Sequence, residues 1–315
     1  MERPYILHMF TPSRQMSPFD VNMAADAGYQ IIVPYTDVSI DDVKGLTQDT
    51  IFSRGPKGVA RTGIFIGGRD TTLAADMTER ALASMFKPFV VSVMADPSGA
   101  HTTAAAMVAC VEAALKRHHG HHGHHSHHTR GLAGQRVLVL GGTGPVGRIA
   151  GVIAAQAGAD VHLSSRQGAD VAQSAATATG QRFGVTLHGA SAGDPAALRA
   201  SLADADVVLA CAAAGVQVLS AADLAFATRL KVAADVNAVP PEGIAGVGVT
   251  DDAKPIAGSA AARTVLGIGA LAIGNVKYQT QHRLLVQMRQ AERAQVLSFA
   301  EAVAVARAVL AEAAP

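Results

Sequence analysis

The residues best suited to chemistry lie at 136–147, where Arg-Val-Leu-Val-Leu runs into Gly-Gly-Thr-Gly-Pro-Val-Gly. Within it, Gly142, Thr143, Gly144, Pro145, Val146 and Gly147 satisfy the spacing G-x-G-x-x-G. The spacing alone is a weak signal. Here an apolar run, Val137–Leu140, precedes it and an Ala-rich run follows, which is the strand–turn–helix context a dinucleotide site needs. Gly142 is expected to permit the tight turn, Gly144 to let a pyrophosphate approach the backbone, and Gly147 to let helix and strand pack closely. The first helical turn then offers unpaired N–H groups and a positive dipole end to phosphate.

The next strand should select the dinucleotide. NAD⁺ sites usually end it with Asp or Glu, bonded to the ribose 2′-hydroxyl. Here Val161-His162-Leu163 ends in Ser164-Ser165-Arg166. A carboxylate would repel a 2′-phosphate, whereas the Ser165 hydroxyl and Arg166 guanidinium would bind it. The spacing therefore predicts NADP⁺ as preferred cofactor, with NAD⁺ second; an ordinary surface arginine is the alternative for Arg166. Ala212 and Ala213, in the small-residue run Ala210–Gly215, should line the same crevice. Asp235 and Asn237 follow another apolar run and should lie near the nicotinamide, or else simply form a turn.

Other polar residues fall at predicted strand ends of the first third: Arg14, Asp20, Ser53-Arg54, and Asp96 through Thr103. His101, beside a helix start, reads more readily as structural. Lys277, behind the glycine-rich run 267–274, is a candidate cleft cation or a solvated helix lysine. The hydrolytic patterns G-x-S-x-G and H-E-x-x-H and the Walker lysine are absent from the sequence.

These residues need elements to hold them. Residues 5–116 alternate strand-like and helix-like pieces, and a second alternating series begins at Arg136, in which 185–187 reads as a short strand and 243–249 as a further candidate strand. The expected fold is α/β: an N-terminal α/β domain plus a Rossmann-type, doubly wound parallel-sheet domain, with an interdomain cleft. A composition break places the boundary at 128/129. The N-terminal domain would span 1–128, the dinucleotide domain 129–284, and helices in 285–315 would pack back on the first. The break is a tract, His118–His128, with eight histidines in eleven residues. It reads as a tolerated surface loop, since Gly spacers and the lack of Cys, Asp or Glu give it no fixed ligand geometry, and no metal site is expected. A metal-storage role is the alternative.

Composition narrows the class. The chain has 315 residues, 49% hydrophobic and 16% charged, with net charge +1. Disorder is excluded, and no charge excess favours nucleic acid or anionic lipid. Aromatic residues are 4% and Trp is absent, so base-stacking platforms are not expected. Neither a signal-peptide core nor a membrane-length apolar run appears in the sequence, and the expected location is cytoplasmic. Cys110 and Cys211 read as reduced core residues.

Seven segments together resemble a known family: Ser-Pro-Phe-Asp-Val (17–21), Ser-Arg-Gly (53–55), Arg-Thr-Gly-Ile-Phe-Ile-Gly-Gly (61–68), Asp-Pro-Ser-Gly (96–99), the glycine loop 141–147, Asp-Val-Asn-Ala-Val-Pro-Pro (235–241) and Gly-Ile-Gly-Ala-Leu-Ala-Ile-Gly-Asn-Val-Lys-Tyr-Gln-Thr-Gln (267–281). The chain is similar, over nearly all its length, to the bacterial methylene-tetrahydromethanopterin dehydrogenases of methylotrophs. The resemblance implies NAD(P)⁺-dependent oxidation of N5,N10-methylene-tetrahydromethanopterin to the methenyl form, a step in formaldehyde oxidation. It implies a pterin cosubstrate bound by the N-terminal domain, and a homo-oligomer. Lys277 becomes the first candidate for the pterin cleft, with Asp20 and Asp96 after it. The alternatives are a methylene-tetrahydrofolate dehydrogenase and a dinucleotide-binding redox sensor without turnover.

Overall fold

A computed structural model of the chain describes residues 3–120, 131–257, 261 and 264–313. Residues 121–128 of the histidine tract lie outside them. In chain order the elements are β1 (Ile6–Phe10), α1 (Pro18–Asp26), β2 (Ile31–Tyr35), α2 (Asp42–Phe52), α3 (Gly55–Val59), β3 (Thr62–Ile66), α4 (Thr71–Ala83), β4 (Ser92–Ala95), α5 (Ala100–Gly120), β5 (Arg136–Leu140), α6 (Pro145–Gln156), β6 (Asp160–Ser165), α7 (Ala169–Phe183), β7 (His188–Ser191), α8 (Pro195–Asp204), β8 (Val207–Ala210), α9 (Ala221–Leu224), β9 (Val232–Asp235), β10 (Lys254–Pro255), β11 (Leu266–Ile268), α10 (Ala270–Gln290), β12 (Val296–Leu297) and α11 (Phe299–Glu312). No helix among the described residues is long and apolar enough to cross a membrane.

The chain divides into two compact units. The first comprises 1–102 and 278–305, the second 103–277 and 306–315. The first unit is built on a five-stranded sheet in the order β12-β4-β3-β1-β2, parallel throughout. Every residue of β3 is buried, as a strand covered on both faces requires. Its apolar run Ile64-Phe65-Ile66 makes it legible in the sequence, whereas β12 contributes two residues and gives no periodic signal. Asp70 caps α4 by accepting the N–H groups of Thr72 and Leu73.

The second unit carries a seven-stranded sheet in the order β10-β11-β9-β8-β5-β6-β7. All pairings are parallel except that of β10 with β11. Counting from β5, the six parallel strands follow the doubly wound order, and the direction of winding reverses between β5 and β8. Ligands of such sheets bind at that reversal, beyond the carboxyl ends of the strands. Leu138, Leu140, Leu202, Val208 and Ala233 belong to the core beneath it.

Three expectations shift. The histidine tract does not mark the passage between units, because α5 runs unbroken from Ala100 to Gly120 and the division falls inside its first turn. The expected strand at 185–187 is displaced to His188–Ser191. That edge strand is small and polar because α7 lies against it: a Cβ at Gly189 would collide with the Gln173 backbone. Residues 243–249 form a loop with a single parallel bridge, Ile244 to Leu219, rather than a strand.

Candidate functional site

The glycine turn joins β5 to α6, and its glycines are required by contacts. Gly141 has φ +71°, so the left-handed step of the turn falls there, one residue before the expected Gly142. A Cβ at Gly141 would lie 2.8 Å from the Cys211 carbonyl and the Ala212 nitrogen. One at Gly142 would lie 2.8 Å from Leu163 Cα, and one at Gly147 2.6 Å from the Gly141 carbonyl oxygen. Close approach to β8, to β6 and to the turn itself thus fixes three glycines. Gly144 differs: its φ of −77° suits any residue, and a Cβ there would meet only the Gly141 oxygen, at 3.4 Å. Gly144 leaves space on the side where a phosphate would approach.

Gly144 is also the N-cap of α6, with Pro145 next, and no side chain caps the helix. The early N–H groups therefore remain available to an anion, beside the positive helix end. Arg148, one turn in, donates from Nε to the Thr143 carbonyl at 2.9 Å and from Nη1 to Thr179 Oγ1 at 3.2 Å.

The ends of the two strands flanking β5, β6 and β8, lie against this turn. The Gly142 N–H donates to the Ser164 carbonyl at 3.1 Å, placing the end of β6 beside the loop. Ser165 is buried and its hydroxyl accepts the Gln167 N–H at 3.1 Å, shaping the bend that presents Arg166, whose side chain is exposed. Cys211 and Ala212 follow β8 directly against Gly141; Ala212 is half-buried and Ala213 exposed. Burial and the Asp235 carboxylate push the Cys211 thiol up to about 12, which leaves it without thiolate character at neutral pH.

Asp235 and Asn237 direct their polar atoms into the chain. Asp235 Oδ2 accepts the N–H groups of Gly243 at 2.7 Å and Ile244 at 3.1 Å, and Oδ1 accepts that of Asn237 at 2.9 Å. This carboxylate gathers 236–244 into a loop, so that the pairing of 243–249 stops at the single bridge of Ile244 to Leu219. Burial raises the Asp235 carboxyl above the usual carboxylate range, against the lowering by its three N–H partners. Asn237 Oδ1 accepts from Gly215 at 2.9 Å and Val239 at 3.0 Å, and Nδ2 donates to the Pro241 carbonyl at 2.7 Å. Asn237 thereby ties the loop after β8 to the loop after β9. Both residues shape the crevice wall.

In the first unit, Asp96 at the end of β4 is fully buried. Its Oδ1 accepts the N–H groups of His101 and Thr102 at 2.9 and 3.1 Å, and its Oδ2 accepts the Thr102 hydroxyl at 2.6 Å. It is a helix-capping group for α5. Asp20, also buried, accepts a bond from Gln281 Nε2 of α10 at 2.7 Å. Arg54 donates to Thr62 Oγ1 and to the Pro4 carbonyl, each at 3.0 Å, while Arg14 is exposed. Lys277 is half-buried and is the last residue of α10 assigned to the second unit. One turn earlier on the same helix, a Cβ at Gly274 would meet nothing within 4 Å, so that flank of α10 has room beside it.

His101 is buried, with Phe299 edge-on at 5.5 Å. Nδ1 donates to the Ala95 carbonyl at 2.7 Å, and Nε2 is buried without a partner. Burial holds its pKa below the ordinary value, outweighing the opposing pull of Asp96. The unfolded chain protonates this histidine near pH 6.5, while the folded chain resists. Stability should thus be insensitive to this group above about pH 7. It should fall as pH drops through 6.5, by up to about 1.4 kcal/mol per pH unit, until the folded state also protonates. His101→Gln is expected to flatten that part of the acid limb in melting curves; an unchanged slope between pH 7 and 5.5 would show that the buried ring is not the cause.

The structure brings together the glycine turn, Ser165, Arg166, Ala212 and the loop built on Asp235 and Asn237, all in the second unit. Sequence reasoning missed Gly141 and Arg148. The doubled glycine at 141–142 was a usable signal for the first. Arg148 had none, because its role depends on Thr179, thirty-one residues away.

Residues 18–98 match the family described as methylene-tetrahydromethanopterin dehydrogenase, N-terminal. The NAD(P)-dependent methylenetetrahydromethanopterin dehydrogenase of Methylorubrum extorquens is 46% identical over 297 residues, covering 94% of this chain and 96% of that protein. The bifunctional protein MdtA of the same organism is 34% identical over 283 residues, covering 90% of this chain and 91% of its own. Among solved structures, the ligand-free 5-ketofructose reductase of Gluconobacter sp. strain CHM43 covers 98% of this chain and 99% of its own at 16% identity, with a TM-score of 0.45.

Proposed function

The chain belongs to the methylenetetrahydromethanopterin dehydrogenase family, and from that premise we propose that it oxidises N5,N10-methylene-tetrahydromethanopterin to the methenyl form by direct hydride transfer to NADP⁺ or NAD⁺, in one-carbon metabolism. The observation that carries this reading is the NAD(P)-dependent relative, matched over 94% of the chain. The built phosphate cradle, with open space at Gly144 and an uncapped α6, is its physical counterpart.

The residues present fit a dinucleotide. Val146 and Gly147 would hold the pyrophosphate through backbone N–H groups, Gly144 would leave it room to approach, and Ser165 and Arg166 would hold the adenosine ribose end. When bound, the nicotinamide supplies the hydride acceptor. The methylene carbon lies between two nitrogens, so the positive charge left by hydride loss is shared over N–C–N and no proton moves in that step. The protein therefore needs no general base at the carbon; its work is alignment and exclusion of water.

Initial rates with methylene-tetrahydromethanopterin and methylene-tetrahydrofolate, each with NAD⁺ and NADP⁺, test the reading. The highest kcat/KM is expected for the methanopterin derivative. A higher value for the folate would move the chain to the alternative substrate, and cofactor binding without turnover would make it a sensor.

Two finer assignments follow. Arg166 selects NADP⁺ through the 2′-phosphate, so Arg166→Ala should lower the NADP⁺-over-NAD⁺ ratio of kcat/KM by about tenfold or more; an unchanged ratio would remove Arg166 from the site. Lys277 contacts the polar part of the pterin away from the methylene carbon, where a cation would oppose the developing charge. Lys277→Ala should raise the pterin KM several-fold, by about 1 kcal/mol of lost interaction, and leave the cofactor KM alone. Wild-type kinetics in that variant would end its assignment.

A further inference from the structure

The glycine turn contains one carbonyl whose placement needs explanation. A turn that offers N–H groups to phosphate must keep its own carbonyl oxygens from facing the same anion. The Gly141 carbonyl is taken up inside the turn by the Gly144 N–H at 3.1 Å, and the Gly144 carbonyl accepts the Arg148 N–H at 2.9 Å. The Thr143 carbonyl has no such backbone partner among these bonds. It is held by the Arg148 side chain, Nε to O at 2.9 Å.

The same guanidinium is anchored at a second point. Nη1 donates at 3.2 Å to Thr179 Oγ1, on the buried face of α7. Arg148 thus ties the glycine turn to the helix that follows the Ser165–Arg166 bend. The fork is planar and its donors are fixed relative to one another, so two anchors set the orientation of the whole group. Nη2 makes no hydrogen bond among the described residues, and Arg148 is only half-buried. A surface depression lined by Thr143, Arg148, Asp170, Ser174 and Ala178 lies beside it.

We propose that Arg148 is a positioning residue for the dinucleotide: it turns the Thr143 carbonyl away from the phosphates and holds a positive charge beside them. The proposal rests on the dinucleotide reading of the turn. It assigns to Arg148 a contribution shared by NAD⁺ and NADP⁺, distinct from the 2′-phosphate selectivity assigned to Arg166.

The test uses the full chain, with ADP and adenosine as probes in calorimetric titration beside NAD⁺ and NADP⁺. Arg148→Met keeps the aliphatic stem and removes the donors. It should weaken ADP, NAD⁺ and NADP⁺ alike by about tenfold or more, the range of a lost charge-assisted bond. Adenosine binding and the pterin KM should stay at their wild-type values. Arg148→Lys, which can still reach the Thr143 carbonyl but cannot fork to Thr179, should recover part of the loss. Thr179→Val, which removes only the second anchor, should give a smaller weakening of ADP with adenosine unchanged, and it serves if Arg148→Met does not fold. Wild-type ADP affinity in both Arg148→Met and Thr179→Val, or equal weakening of ADP and adenosine, would overturn the proposal. Failure of the wild-type chain to bind NAD⁺, NADP⁺ or ADP would instead overturn the dinucleotide reading beneath it.

Discussion

Gly147→Ala should cripple folding of the second unit, whereas Gly144→Ala should fold normally and lose cofactor affinity. The two changes add the same methyl group three residues apart. At Gly147 the new Cβ would lie 2.6 Å from the Gly141 oxygen and 2.8 Å from Gly142 Cα. Both obstacles are backbone, so relief requires α6 to move from β5, at a cost of about 1–3 kcal/mol or more. At Gly144 the backbone is extended and the nearest obstacle is 3.4 Å away, so the fold accepts the methyl. The methyl then stands where a pyrophosphate must come close to the chain, and cofactor affinity should fall on the order of tenfold, about 1.4 kcal/mol. Thermal melting and cofactor titration on both variants read the outcome. A Gly144→Ala protein with wild-type cofactor affinity would mean that the phosphates do not pass over that residue.

Asp235→Ala should be the most damaging single change outside the glycine turn. It leaves the N–H groups of Asn237, Gly243 and Ile244 without their acceptor. Unsatisfied buried donors cost about 1–3 kcal/mol each, and the three are not additive, so a total of about 3 kcal/mol or more is expected. Asp235→Asn should be milder but still destabilising, because one side of the amide presents N–H groups to N–H groups. Turnover should fall in both variants in step with the melting temperature. If Asp235→Ala melted like wild type while turnover collapsed, the carboxylate would be acting on bound ligand, and its assignment as an organiser of the loop would be withdrawn.

These two cases show what was legible in the sequence. The glycine spacing and its strand–helix context located the turn between β5 and α6, because the requirement is local: six consecutive residues and their flanks. Asp235 was located as a polar residue at a strand end, but its partners are a loop eight and nine residues on, so its task could not be read from spacing. Asp96 is similar. Its place before a helix was visible, and its three bonds to His101 and Thr102 show a capping role where a ligand contact was the expectation. The parallel sheets were readable from alternating apolar runs at β1, β2, β3 and β5. The winding order was not, nor was the return of β12 to the first sheet, since two residues carry no period. The division of the chain eluded composition because the conspicuous histidine tract begins in the last turn of α5, whereas the division falls in its first.

The central claim, direct hydride transfer from the one-carbon unit to nicotinamide, is tested most directly with methylene-tetrahydromethanopterin deuterated at the methylene carbon. Direct transfer places one deuterium of each oxidised methylene at C4 of the reduced nicotinamide, in stoichiometric amount, with none lost to solvent. Deuterium recovered in water, or methenyl product formed without reduced nicotinamide, would contradict it.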